Sequence, residues 1–150
     1  MRFPPLDRYF TGISIPVAAL RTGTSCGAGE FADLTALGKW CRLVGLDLIQ
    51  LLPVNDTGGN ASPYSALSAF ALHPLYLRLD AVPGARRYAG EIDAFRAEMA
   101  DRPRFSYREI RSFKLSIIER VFADTASAVR ADPDFARWQA ENPWVIPRRS

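Results

Sequence analysis

LIQLLPVNDTGGNASPYSALSAFALHPLYLRL, residues 48–79, decides how this chain is read. The apolar run at 46–52 is that of a strand buried in a sheet, and it passes directly into a polar, glycine-bearing loop. Asn55, Asp56, Thr57, Asn60, Ser62 and Tyr64 favour water or a polar ligand, so function is sought in this loop. Pro63 fixes its own φ and restricts Ser62, which puts Tyr64 on a stiff mount.

Working outward, residues 12–17 read as a short buried strand, and Phe31, Leu34, Leu37, Cys41 and Val44 recur at helical spacing up to Gly45, where a glycine ends a helix well. With the strand at 46–52 this makes a β-α-β unit, the building block of parallel α/β sheets and barrels. Ile13, Ile15, Leu48 and Leu51 are read as the inward-facing set. Residues 75–79 are read as extended. Residues 81–103, rich in proline, arginine and alanine, are read as a surface excursion with one short helix at 92–99. Ile110, Phe113, Ile117, Val121 and Val129 mark a long amphipathic helix over 107–131, and Phe135 and Trp138 begin another. The whole of 1–150 reads as part of one domain, with 81–150 mainly helical.

Composition excludes several classes. With 48% hydrophobic and 23% charged residues the chain is an ordinary globular sequence, and no apolar run approaches a membrane span. The amino terminus lacks the apolar core of a secretory signal, so a cytoplasmic location is expected. The net charge of +3 is spread over scattered arginines with no basic stripe, which reads as solvated surface and not as a nucleic-acid face. Cys26 and Cys41 are too few for a disulfide framework and are expected to be inert thiols. His73, the single histidine, has no ligating neighbours in sequence and is expected to be structural; no metal or organic cofactor is implied. The glycines from Gly23 to Gly29 raise a phosphate- or dinucleotide-binding module as a rival. A dinucleotide fingerprint requires G-x-G-x-x-G in the turn directly after the strand, and here the strand ends near Val17. A flexible loop leading into a helix is the simpler reading.

The order of short motifs resembles the 4-alpha-glucanotransferases of glycoside hydrolase family 77, the amylomaltases and disproportionating enzymes. The carriers are Leu52-Pro53, Ser62-Pro63-Tyr64 and the run from Ser68 through Phe70, Ala71, Pro74 and Leu75. Gly12-Ile13-Ser14-Ile15-Pro16, Gly27-Ala28-Gly29-Glu30-Phe31, Lys114-Leu115-Ser116-Ile117 and Glu141-Asn142-Pro143-Trp144 extend it over almost the whole chain. Asn55-Asp56-Thr57 and Phe70-Ala71-Leu72-His73-Pro74-Leu75 resemble the branch of plant cytosolic disproportionating enzymes and their bacterial relatives.

That resemblance implies the amino-terminal portion of a (β/α)₈ TIM-type barrel. A closed barrel takes about 250 residues, so the barrel is expected to be incomplete over these 150. It also implies transfer of α-1,4-glucan segments between maltooligosaccharides, or onto polymer, by a retaining mechanism. The family's catalytic carboxylates are expected beyond this stretch, and no catalytic residue is assigned within it. A non-catalytic glucan-binding role is the alternative. By resemblance Tyr64 packs beside a bound sugar and Ser62 is its hydrogen-bonding neighbour. An aromatic ring offers an apolar face to a pyranose, and its hydroxyl and nearby amides bond sugar hydroxyls; on the residues alone, a tyrosine capping the barrel core competes with this. Asn55 and Asp56 join the substrate-binding candidates, although both residue types also serve loops through Asx turns. Gly58-Gly59-Asn60 stands where many amylomaltases carry a further tyrosine. An oligomeric state is not implied.

Overall fold

The computed structural model describes residues 8–145. Two strands, β1 (Gly12–Ile15) and β2 (Leu48–Leu51), pair in parallel, Gly12 opposite Leu48 and Ile15 opposite Leu51. Between them lie a one-turn 3-10 helix at Val17–Ala19, an irregular segment, a 3-10 turn at Phe31–Asp33 and α1 (Leu34–Leu43). The β-α-β unit is therefore present. Each strand is shorter than its apolar run, and at the end of β1 the cause is Pro16, which has no N–H to give a ladder. α1 ends in a Schellman motif: Gly45, at φ +76°, and Leu46 donate their amides to the carbonyls of Arg42 and Cys41.

Residues on a strand alternate between faces, so Leu48 and Leu51 cannot share one. Ile13, Ile15, Ile49 and Leu51 form the half-buried face, while Gly12, Ser14, Leu48 and Gln50 form the open one; this corrects the expected inward-facing set. Among the described residues each strand has one edge without a strand partner.

After β2 come a long loop, two 3-10 turns at Pro74–Tyr76 and Leu79–Ala81, a third at Ala85–Tyr88, and the helices α2 (Ala89–Ala100), α3 (Tyr107–Ala131) and α4 (Pro133–Glu141). Of the segment expected to be extended at 75–79, Leu77 and Arg78 are extended, while Leu75, Tyr76 and Leu79 belong to the flanking 3-10 turns. The turns' amides bond back locally, Leu77 to Pro74 and Val82 to Leu79. The 107–131 helix has the limits that its periodicity predicts. Its stripe is buried at Tyr107, Ile110, Lys114, Ile117 and Val121, but fades before the exposed Val129.

The core is not where the strand pattern alone puts it. One cluster joins Val17, Ala28, Leu75, Tyr76, Met99 and Ile110; a second joins Cys26, Leu79, Ala85, Ile92, Ile117 and Val121. Stacked rings of Phe95 and Phe113, 3.9 Å between centroids, bind α2 to α3. Residues 81–103 are largely exposed, as expected of a surface segment, but send Ala85, Tyr88, Ile92 and Met99 into these clusters, and α2 extends beyond the expected 92–99.

The glycine-rich segment is likewise not a flexible loop, since residues 25–30 are all buried. Gly27 passes against Met99 of α2 and Ile110 of α3, and Gly29 against Val17 and Leu20. A Cβ on Gly27, whose φ is +76°, would stand 2.9 Å from Met99 Cβ, and one on Gly29 would stand 2.1 Å from the carbonyl oxygen of Val17.

Buried charge fastens the same region. Lys114 and Glu30 are each 1% exposed and meet at 2.6 Å, and the Lys114 ammonium also donates to the carbonyls of Leu75 and Leu77, at 2.7 and 2.9 Å. Arg78 donates through Nε to Glu30 at 2.8 Å and through a terminal nitrogen to Asp33 at 2.5 Å. Burial alone would raise the Asp33 pKa, but the Glu30 amide, the Ser25 hydroxyl and Arg78 outweigh it and hold the carboxyl below its ordinary value. Lys114 and Arg78 are therefore exceptions to the reading of the basic residues as solvated surface. Both cysteines are free and buried, and burial raises the Cys26 thiol pKa.

Candidate functional site

The loop that follows β2 is organised by backbone pairing. His73 donates its amide to the Val54 carbonyl and Asp56 to that of Ala71, with an antiparallel bridge between Asn55 and Leu72. The two limbs form a narrow neck, and the 57–70 segment is its head. Asn55 spends its side-chain amide on the Ala69 carbonyl at 2.9 Å, tying one limb to the other. Asp56 accepts the Gly58 amide at 2.9 Å in an Asx turn. Both thus shape the loop, and each keeps a side-chain oxygen that makes none of these bonds.

The near end of the head is pinned to α3. Tyr107 donates its hydroxyl to the Gly58 carbonyl at 2.7 Å, lies 3.1 Å from Thr57 Oγ1, and lies 2.7 Å from His73 Nε2. Because His73 Nδ1 accepts the Leu75 amide, Nε2 carries the ring hydrogen and donates it to Tyr107. Burial lowers the His73 pKa, and Asp56, 3.8 Å away, opposes the shift only in part. His73 is a satisfied structural histidine, as its sequence context predicts. Among the described residues no three His, Cys, Asp or Glu side chains gather at metal-binding spacing.

From this anchor the chain turns twice to reach Ser62-Pro63-Tyr64. Thr57 donates its hydroxyl to the Asn60 carbonyl at 2.6 Å, and Asn60 Oδ1 accepts the Ser62 amide at 2.9 Å. A turn closed by the Ser65 amide on the Ser62 carbonyl then carries Pro63 and Tyr64. Tyr64 is 72% exposed and makes no hydrogen bond, ion pair or ring contact among the described residues. It does not cap a core. The loop is also rich in other exposed apolar side chains, Leu67, Phe70 and Leu72.

The structure brings Asn55, Asp56, Ser62 and Tyr64 onto one loop at the carboxyl end of β2, with Tyr64 at its exposed tip. An open groove of about 690 Å³ runs beside the loop between Gly59-Asn60-Ala61 and the first turn of α3, where Phe105 and Arg108 line it. A smaller cavity of about 80 Å³ lies beneath, bounded by Pro16, Pro63, His73 and Tyr107. Neither is lined by Asp or Glu. The loop can present ring faces, amides and hydroxyls to a neutral polar ligand, while nothing lining these two spaces supplies a carboxylate for acid–base or nucleophilic work.

Tyr107 and the pairing of Glu30 with Lys114 were not singled out from the sequence, and Thr57, expected to favour water or a ligand, is instead buried on Asn60 and Tyr107. A signal did exist, since residues 107, 110, 114, 117 and 121 follow alternating steps of three and four, the spacing of one helix face. A lysine and a tyrosine hydroxyl on such a face require buried partners.

The backbone resembles a portion of a solved structure, the amylomaltase from Corynebacterium glutamicum. The TM-score is 0.65 at 21% identity, over 94% of this chain and 24% of that one. The model of glycoside hydrolase family 77, described as 4-alpha-glucanotransferase, matches residues 15–148, and the chain belongs to that family. It is 33% identical over 141 residues to a 4-alpha-glucanotransferase of Chlamydia pneumoniae, covering 91% of this chain and 27% of that protein. With the 4-alpha-glucanotransferase DPE2 of Oryza sativa subsp. japonica it is 36% identical over 146 residues, 91% of this chain and 15% of the relative. The chain thus spans about a quarter or less of the length of these curated relatives. Among the described residues no helix is long and apolar enough to cross a membrane.

Proposed function

We propose that this chain supplies the glucan-contacting β2 loop of a 4-alpha-glucanotransferase that moves α-1,4-linked glucan segments between maltooligosaccharides or onto polymer acceptors. The observation that carries the reading is Tyr64, an uncommitted aromatic ring on a proline-stiffened turn at the carboxyl end of a parallel strand, in a chain that belongs to the family. In this reading β1, α1 and β2 open a (β/α)₈ barrel, in which ligands bind at the carboxyl ends of the strands. Residues 81–145 form a helical layer packed on it.

Tyr64 is the sugar platform, Ser62 bonds a sugar hydroxyl beside it, and the free side-chain oxygens of Asn55 and Asp56 contribute at the loop base. The reaction needs two carboxylates, one attacking the anomeric carbon and one protonating the leaving oxygen, with a sugar hydroxyl in place of water resolving the glycosyl ester. The spaces beside this loop are not lined by a carboxylate, so the share of the work assigned to these residues is binding and orientation. A cytoplasmic location belongs to the same proposal, and two free, buried thiols agree with it.

The test has two arms. The isolated 150-residue polypeptide is expected to produce no glucose and no ladder of longer oligosaccharides from maltotriose; either product refutes the division of labour. In a polypeptide of the relatives' full length carrying this segment, Tyr64→Ala is expected to lower kcat/KM for maltotriose at least tenfold with the melting temperature unchanged. A loss of folded protein with unchanged activity per folded molecule refutes the role of the ring.

A further inference from the structure

We propose that Tyr107, on α3, is a positioning residue for substrate, acting through the turn that carries Tyr64. The proposal rests on the reading of Tyr64 as a sugar platform. Tyr64 makes no hydrogen bond, ion pair or ring contact among the described residues, so its place is set chiefly by the turn before it. That turn hangs on one hydroxyl. Tyr107 OH receives the His73 Nε2 hydrogen, donates to the Gly58 carbonyl and touches Thr57 Oγ1, and Thr57 in turn donates to the Asn60 carbonyl. Asn60 Oδ1 then fixes the Ser62 amide, next to Pro63. The Tyr107 bond to Gly58, the Thr57 bond to Asn60 and the Ser62 bond to Asn60 thus follow one another along the segment that leads to the mount of the exposed ring.

The packing of α3 does not depend on that hydroxyl, although its loss leaves the buried His73 Nε2 hydrogen without an acceptor and costs some stability. α3 is held to the remainder by Ile110, Lys114, Ile117 and Val121, and the Tyr107 ring packs edge-on to His73 and Phe105 whether or not it carries an oxygen. Removing the oxygen should release the turn and leave the helix seated.

In the full-length context Tyr107→Phe is expected to lower kcat/KM for maltotriose about three- to tenfold, the scale of one lost buried hydrogen bond, with melting shifted by only a few degrees. In a Tyr64→Ala background the same change is expected to cost less than in the wild type, the remainder being its effect through Ser62. In the isolated chain, hydrogen exchange at the Gly58 and Ser62 amides is expected to quicken while amides within α3 are unchanged. An unchanged kcat/KM, or an equal loss in both backgrounds, overturns the positioning role even where wild-type transfer and the Tyr64→Ala loss are as proposed. If the wild-type full-length protein transfers no glucan, the proposed function falls with it. Unchanged exchange at Gly58 and Ser62 overturns the mechanical link by itself.

Discussion

Replacing Lys114 by methionine should be among the most damaging single changes available in this chain. The side chain keeps nearly its volume, so packing is conserved and the loss isolates the charge. Three acceptors lose their donor at once: Glu30 Oε1 and the carbonyls of Leu75 and Leu77. Glu30 would still receive Arg78 and the Cys26 amide, but its carboxylate, 1% exposed, would be short of one countercharge. Breaking a buried pair from one side costs about 3–5 kcal/mol. For a chain of this length that corresponds to a melting temperature lower by about 6–20 °C. Urea unfolding followed by circular dichroism at low micromolar concentration measures it, with the slope m expected to be unchanged. Adding Glu30→Gln to Lys114→Met should recover part of the loss, because the orphaned charge is then gone. A loss below about 1 kcal/mol for Lys114→Met, or a double variant weaker than the sum of the two singles, would show that Arg78 alone neutralises Glu30 and that the argument from desolvation is wrong.

Stability should also depend on pH through His73. Its pKa is lowered in the fold, so the unfolded chain takes up the proton first; stability is complete above pH 6.5 and declines as pH falls from there to the folded-state value. Thermal melts between pH 7.5 and 5.5 are expected to show this decline, and a His73→Gln variant should give a flatter profile; equal slopes would refute the assignment. The open face of the two-stranded sheet predicts association: Leu48 is 57% exposed, and both edges lack a strand partner among the described residues. Sedimentation velocity is expected to show concentration-dependent oligomers that Leu48→Lys reduces, whereas a monodisperse monomer at high concentration would count against it.

Legibility in the sequence followed the regularity of the signal. α3 has its expected limits because a long 3.6-residue period leaves little choice of register, and the β-α-β unit follows from two apolar runs flanking an amphipathic helix. The 75–79 and 81–103 readings hold only in part, for a different reason. A short apolar stretch does not reveal whether a sheet edge exists to receive it, and here the carbonyls of Leu75 and Leu77 are claimed by Lys114 from 39 and 37 positions away. Arginine and proline likewise suggest surface only when their partners are unknown; Arg96 in α2 is paired with Asp80 and Asp93, while Ile92 and Met99 of the same helix enter the core. In the candidate site, the loop and its exposed tyrosine could be located from Pro63 and the polar run. The pinning by Tyr107 could not, because nothing local in a sequence says which helix a loop will lean on.

The ion pair between Glu30 and Lys114 joins groups 84 positions apart, and this sets a schedule for the newborn chain. At about 5–20 residues per second, Glu30 leaves the peptidyl-transfer centre some 4–17 s before its lysine is made. For that interval β1, α1 and β2 can all exist, yet the glycine-rich segment has no roof and its carboxylate must stay hydrated. The amino-terminal third therefore cannot finish folding on its own emergence and must wait for α3.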